Sequence, residues 1–384
     1  MKFLIAPDSF KGSLTAKEVA QAIKAGIERV YPQAEYRLVP MADGGEGTVQ
    51  SLVDATAGRL LTKHVTGPLG TTVAAQYGIL GDGQTAVIEM AQASGIQYVN
   101  EQTKNPLVTT TYGTGELILD ALDQGIKKII LGIGGSATND GGAGMAQALG
   151  FRLQDKNNQE LAFGGGALNR LDHIESQEAD PRLQETTILI ASDVTNPLTG
   201  ENGAAAVFGP QKGASAADVA VLDHNLHHYA NIVKRDLGKD LEHTAGAGAA
   251  GGLGMGLLAF TQAQMARGID LVIEFTHLKQ QAQGVDFVFT GEGGIDFQTK
   301  FGKTPFGVAK ATKEVTPTAP VIVLAGNVGE NIDSLYGSAA MDAIFATPAG
   351  VKDLDQAIAD GKHDIAQTAE NIARLLKVTR MQQQ

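Results

Sequence analysis

The stretch Lys127–Gly150, KKIILGIGGSATNDGGAGMAQALG, constrains the fold more than any other part of the chain. Its short apolar run, Ile129–Ile133, predicts a strand. The run opens into a loop with glycine at 132, 134, 135, 141, 142 and 144, interleaved with Ser136, Thr138, Asn139 and Asp140. Residues 143–149 then predict a short helix closing on Gly150. Glycine lets a backbone come close to a ligand and tolerates positive φ. Backbone N–H groups in such a turn, beside a helix N-terminus, make an anion site. The spacing therefore predicts a phosphate-handling loop at the C-terminal end of a parallel strand, set against the plainer reading of a structural glycine turn.

Both ends of the chain carry a β-loop-α rhythm. Residues 2–7 predict a buried strand, Asp8–Leu14 a loop, and Thr15 with Glu18 a capping box before a helix bearing Val19, Ile23 and Ile27. A strand at Glu35–Val39, a second glycine loop (Pro40–Thr48) and a helix over about 47–57 repeat the unit, which predicts a parallel α/β sheet. From about residue 59, three strand-like runs joined by short turns require antiparallel pairing. The nearly all Gly and Ala run 245–256 predicts a packed loop and helix start, not a linker. Past about 270 the parallel rhythm returns, with strands at Val285–Phe289, Pro320–Ala325 and Asp342–Thr347, a loop at Thr290–Asp296 and a last helix over about 353–377. The expected architecture is α/β with two domains. A discontinuous parallel α/β domain, 1–60 and 270–384, holds an inserted mixed α/β domain, 61–269, with function expected in the cleft between them.

The acids carry the chemistry. Asp8, Asp43, Asp140, Asp193, Glu292 and Asp296 each stand in a loop at or shortly beyond a predicted strand. Ligands of parallel sheets sit outside the carboxyl ends of strands. A loop Asp is as often a turn residue, but six in equivalent places suggest more. Mg²⁺ takes one or two carboxylates and shares phosphate oxygens, and a hydroxyl nucleophile needs a further carboxylate as base or positioner. Lys11, Lys212, Lys300 and Lys303 lie in similar loops and suit phosphate neutralisation.

Other chemistries are disfavoured. Gly302-Lys303-Thr304 lacks the first glycine of a Walker loop, since Phe297 stands there. Gly132, Gly134 and Ala137 meet GxGxx[GA], but the loop continues where a dinucleotide helix would begin. No GxSxG elbow is present, and His224, His227 and His228 read as one polar helix face. The chain has no Cys, so thiolate chemistry and disulfides are excluded. A net charge of −12 with no basic stripe argues against nucleic acid. No apolar stretch is long enough for a membrane span, and the apolar run at the N-terminus is too short for a signal peptide, so a cytoplasmic protein is expected.

At this point the motifs carry a resemblance. APDSFKGSLTA (6–16), PMADGGEGT (40–48), GIGGSATNDGGAG (132–144), SDVTNPLTGENGAA (192–205), FGPQKGA (208–214) and GAGAAGGLG (246–254) resemble the bacterial glycerate kinase family, type 1. The resemblance spans nearly the whole chain. It implies a flavodoxin-like domain interrupted by a second α/β domain. It also implies ATP-dependent phosphorylation of D-glycerate, with 2-phosphoglycerate favoured over 3-phosphoglycerate and ATP and Mg²⁺ as co-substrate and cofactor. A kinase for another small hydroxy acid, or a carboxylate-binding sensor without chemistry, are the alternatives. On that reading Asp193, Lys11 and Asp296 are catalytic, and Asp43 and Asp296 hold metal. Asp8, Ser9, Gly44, Gly45, Gly134, Gly135, Ser136, Thr138, Asn139, Asp140, Glu292 and Lys303 bind substrate or nucleotide. One departure stands out. The family usually reads GEGRID, and Gly294 occupies the place of the Arg. Monomer and homodimer are both compatible with the sequence.

Overall fold

The computed structural model describes residues 1–337 and 339–382; of the tail expected to fray, Gln383 and Gln384 lie outside the described residues. The strands in chain order are β1 (Lys2–Ile5), β2 (Glu35–Leu38), β3 (Arg59–Thr66), β4 (Thr72–Ile79), β5 (Thr85–Glu89), β6 (Lys128–Gly132) and β7 (Arg152–Gln154). They continue with β8 (His173–Glu175), β9 (Thr187–Ala191), β10 (Ala263–Ala266), β11 (Phe287–Ile295), β12 (Val321–Val328) and β13 (Ala343–Ala346). The chain forms two compact units, one of Met1–Ala57 with the chain from Gly268 onward, the other of Gly58–Arg267.

The discontinuous unit is a five-stranded sheet in the order β13-β12-β11-β1-β2, parallel throughout. Numbered within the unit, that is the flavodoxin order, whose direction reverses between β1 and β11. Phe3 on β1 is fully buried, stacked on Tyr36 at 5.6 Å and on Phe287 at 5.8 Å; burying such a ring stabilises by about 1.5–3 kcal/mol. Helix Ala16–Glu28 begins as its sequence demands. The Thr15 hydroxyl accepts from the N–H of Glu18, and the Glu18 carboxylate accepts from that of Thr15 at 2.9 Å, a cap of about 1 kcal/mol. Its Gly26 lies so close to helix Leu354–Met381 that a Cβ there would strike the Ala366 carbonyl.

Residues Thr290–Asp296 differ from expectation. The glycines suggested a loop, but β11 runs on through Thr290-Gly-Glu-Gly-Gly to Ile295, because β12 pairs with it as far as Ile295 with Val328. Glu292 is therefore a strand residue.

The second unit holds a six-stranded sheet in the order β10-β9-β6-β5-β4-β3. The short turns of the sequence give the antiparallel pairs β3–β4 and β4–β5, while β5, β6, β9 and β10 run parallel. The Gly and Ala run is ordered and leads into the buried helix Leu253–Phe260. It has to be glycine because it lies against the loop after β6. The N–H of Gly141 donates to the Gly251 carbonyl at 3.0 Å, and a Cβ at Gly251 would strike the Thr138 carbonyl.

Candidate active site

In the discontinuous unit, acids gather at the switch point of the sheet. Asp8 follows β1 and is tied to β11 by its N–H, which donates to the Gly291 carbonyl at 2.8 Å. Its carboxylate accepts from the Thr304 hydroxyl at 2.6 Å and from the Ser9 N–H at 2.6 Å. Burial pushes the Asp8 carboxyl up to about 6 against the Thr304 bond, with Asp43 pushing the same way and Lys11 opposing. Glu292 accepts from the Thr299 hydroxyl at 3.0 Å and faces the Lys303 ammonium at 3.7 Å. Burial lifts it to about 7, opposed by Lys303 and Thr299 and helped by the charges of Asp8 and Asp43. Asp43, after β2, accepts from the N–H of Gly45 at 3.0 Å, with Gly44 at positive φ. Three acids thus repel one another where a parallel sheet binds ligands, and the arrangement invites a cation.

Among the described residues no three of His, Cys, Asp and Glu form a protein-only metal cage. Mg²⁺ sharing phosphate oxygens needs only one or two carboxylates, so Asp8, Asp43 and Glu292 fit a phosphate-borne cation. Asp296, expected to be catalytic and to hold metal, also has a local structural part. It caps the turn Phe297–Phe301, accepting from the N–H of Gln298 at 2.8 Å. Its own N–H donates to the Thr299 hydroxyl at 3.3 Å, the hydroxyl that supports Glu292. Lys11 is exposed and lines a depression of about 270 Å³ with Ser9, Gly12 and Glu46.

In the second unit, a cavity of about 380 Å³ opens beyond β6 and β9. Gly134, Gly135, Ser136, Ser192 and Lys212 line it, with Ile96, Ile133, Val194 and Phe208 as apolar walls. Of the loop residues expected to bind, Gly134, Gly135 and Ser136 face this space. Thr138, Asn139 and Asp140 are fully buried and do not line it. Asp140 takes up donors that a phosphate loop would offer. One of its oxygens accepts from Gly142, the other from Thr111 and Gly144, while the N–H of Met145 goes to the Thr111 hydroxyl. The donors at the start of helix Ala143–Ala148 are thus taken by the protein's own carboxylate and hydroxyl. Thr138 Oγ1 and both amide atoms of Asn139 have no hydrogen-bond partner among the described residues.

Asp193 lies between the lining residues Ser192 and Val194, its carboxylate 3.7 Å from Arg267. His227 and His228 have local partners, the Glu242 carboxylate and the Leu171 carbonyl. Sequence reasoning left the hydroxyls of Thr299 and Thr304 out of the site, and offered Lys212 only as one of four loop lysines suited to phosphate neutralisation. Thr304 stands in plain view in Gly302-Lys303-Thr304, but that segment fails the Walker pattern and so carries no signal of its own.

Acids, hydroxyls and lysines at the switch point of a parallel sheet, with a separate polar-floored cavity, define an α/β enzyme. The glycerate kinase family model matches residues 3–377. The chain is 53% identical over 370 residues to a glycerate kinase of Halalkalibacterium halodurans, covering 96% of this chain and 97% of that one. It is 49% identical over 378 residues to the glycerate 2-kinase of Escherichia coli, covering 98% of each. A crystal structure from Salmonella typhimurium LT2, described as a glycerate kinase 2, superposes with a TM-score of 0.91 at 48% identity over 99% of each chain. The chain belongs to the glycerate kinase family, and it is a kinase.

Proposed function

We propose that this kinase transfers the γ-phosphoryl group of ATP to a hydroxyl of D-glycerate, giving 2-phosphoglycerate. The observation that carries the reading is the 49% identity, over 98% of both chains, to a relative named glycerate 2-kinase. The geometry is compatible with it. Phosphoryl transfer asks for positioning and charge neutralisation more than for covalent chemistry, and the switch-point residues offer both.

Asp8, Asp43 and Glu292 would hold the cation that travels with the nucleotide, and Thr299 and Thr304 fix the carboxylates that do so. Mg²⁺, when bound there, neutralises phosphate oxygens. Lys303 and Lys11 supply positive charge beside those acids, and Ser9, Gly44 and Gly45 belong to the loops that carry Asp8 and Asp43. Asp296 orders Thr299. In the second unit, Gly134, Gly135 and Ser136 receive the acceptor, and Asp193 orients its hydroxyl and takes the proton as the new O–P bond forms. Turnover of D-glycerate with ATP, coupled to enolase alone, tests the reading; phosphorylation of a different small hydroxy acid in its place would redirect it.

A further inference from the structure

Lys212 is 2% exposed. Buried lysines are almost always paired with an anion. Here the Nζ donates instead to two neutral oxygens, Ser136 Oγ at 2.7 Å and the Thr138 carbonyl at 2.6 Å. Among the described residues no carboxylate oxygen lies within ion-pair distance of it. An ammonium has three N–H donors, so one remains. The nearest acid by electrostatic effect, Asp140, has its oxygens committed to Thr111, Gly142 and Gly144. Other charged groups around it are already paired: Lys104, packed behind Gly213, with Glu101, and Asp193 with Arg267. Burial pushes the ammonium down to about 7, with Asp140 opposing.

Lys212 and Ser136 both line the cavity beyond β6 and β9. Because Ser136 Oγ accepts from Lys212, its own hydrogen is available to a ligand. The site thus offers one desolvated cation, with the Ser136 hydroxyl on it and Ser192 and Gln211 also in the lining, between apolar walls. A triphosphate, with several charges to compensate, suits it poorly. A compact monoanion matches it.

We propose that Lys212 is the specificity-determining residue for the phosphoryl acceptor: its ammonium pairs with the carboxylate of the hydroxy acid, and the Ser136 hydroxyl donates to that carboxylate. The inference rests on the proposed glycerate substrate. Pairing restores the charge that burial disfavours, so binding takes up a proton above pH 7.

The test is Lys212→Met, which keeps an unbranched side chain one atom shorter and removes the charge. The substitution removes the desolvation cost of the ion but also takes the donor from the Thr138 carbonyl, so the ligand-free melting temperature is recorded and the kinetics are read where the variant stays folded. The KM for D-glycerate should rise about 100-fold, with the KM for ATP within about twofold. Ser136→Ala should raise the glycerate KM about tenfold. Calorimetry of D-glycerate in buffers of different ionisation enthalpy should show proton uptake in the wild type and none in Lys212→Met. An unchanged glycerate KM in Lys212→Met overturns the proposal, as does a rise confined to ATP. A loss of kcat at constant KM also overturns it, making Lys212 a base. Wild-type protein that binds D-glycerate with proton uptake but does not phosphorylate it would remove the substrate reading and keep the pairing. Wild-type turnover with an indifferent Lys212→Met would do the reverse.

Discussion

The hydroxyl of Thr304 donates to the carboxylate of Asp8 at 2.6 Å, across 296 positions of sequence. That bond joins the first β-loop of the chain to a helix near its other end, and it does so at the switch point of the parallel sheet. The two outer thirds of the sequence are one structural unit because pairs such as this one close it.

The acids at that point make stability depend on pH. Burial raises Asp8 from an ordinary 3.8 to about 6 and Glu292 from 4.5 to about 7. The folded protein then holds protons that the unfolded chain has released, so stability present at low pH is lost as pH rises through the folded values. Melts of wild type and Glu292→Gln, without ligand, should diverge in favour of the variant as pH climbs from 4.5 to 7. A constant difference across that range would mean that Glu292 is not held as described.

Asp140, expected to bind ligand, is placed to build its loop. Asp140→Asn puts an amide where several N–H donors point, and should cost about 2 kcal/mol of stability. The variant should melt earlier with little change in substrate KM at a temperature where it stays folded. A raised KM with an unaltered melt would return Asp140 to ligand binding.

Asp193 is the assigned proton acceptor. Asp193→Asn should lower kcat by about 100-fold or more; a loss below about tenfold removes it from that role.

Gly294 stands where the family usually carries Arg. Among the described residues other than its two chain neighbours, no heavy atom lies within 4 Å of a Cβ built there, and the Lys303 ammonium is 3.4 Å from its carbonyl. Gly294→Arg should therefore fold normally. If the Arg position touches substrate or phosphate, the variant should lower a KM; unchanged kinetics would leave Lys303 as sufficient.

Much of the fold is legible in the sequence, and the exceptions share a cause. The capping box at Thr15 and Glu18 is local, and its spacing announces it. The turns after residue 59 are too short for a crossover, so their length alone dictates antiparallel pairing. By contrast, Thr290–Gly294 reads as a loop because glycine is rare inside strands, and only the distant β12 makes it a strand. Asp140 and Asp8 are indistinguishable as loop acids, since what separates them is which hydroxyls and N–H groups arrive from elsewhere. Lys212 gives no sign of burial, because burial belongs to the packed fold and not to the seven residues around it.

The most direct measurement of the central claim mixes the enzyme with ATP, Mg²⁺ and D-glycerate and couples the product to enolase alone. Phosphoenolpyruvate should form at once, without added mutase. A signal that appears only when mutase is supplied would make the product 3-phosphoglycerate, and no ATP consumption with D-glycerate would contradict the assigned substrate outright.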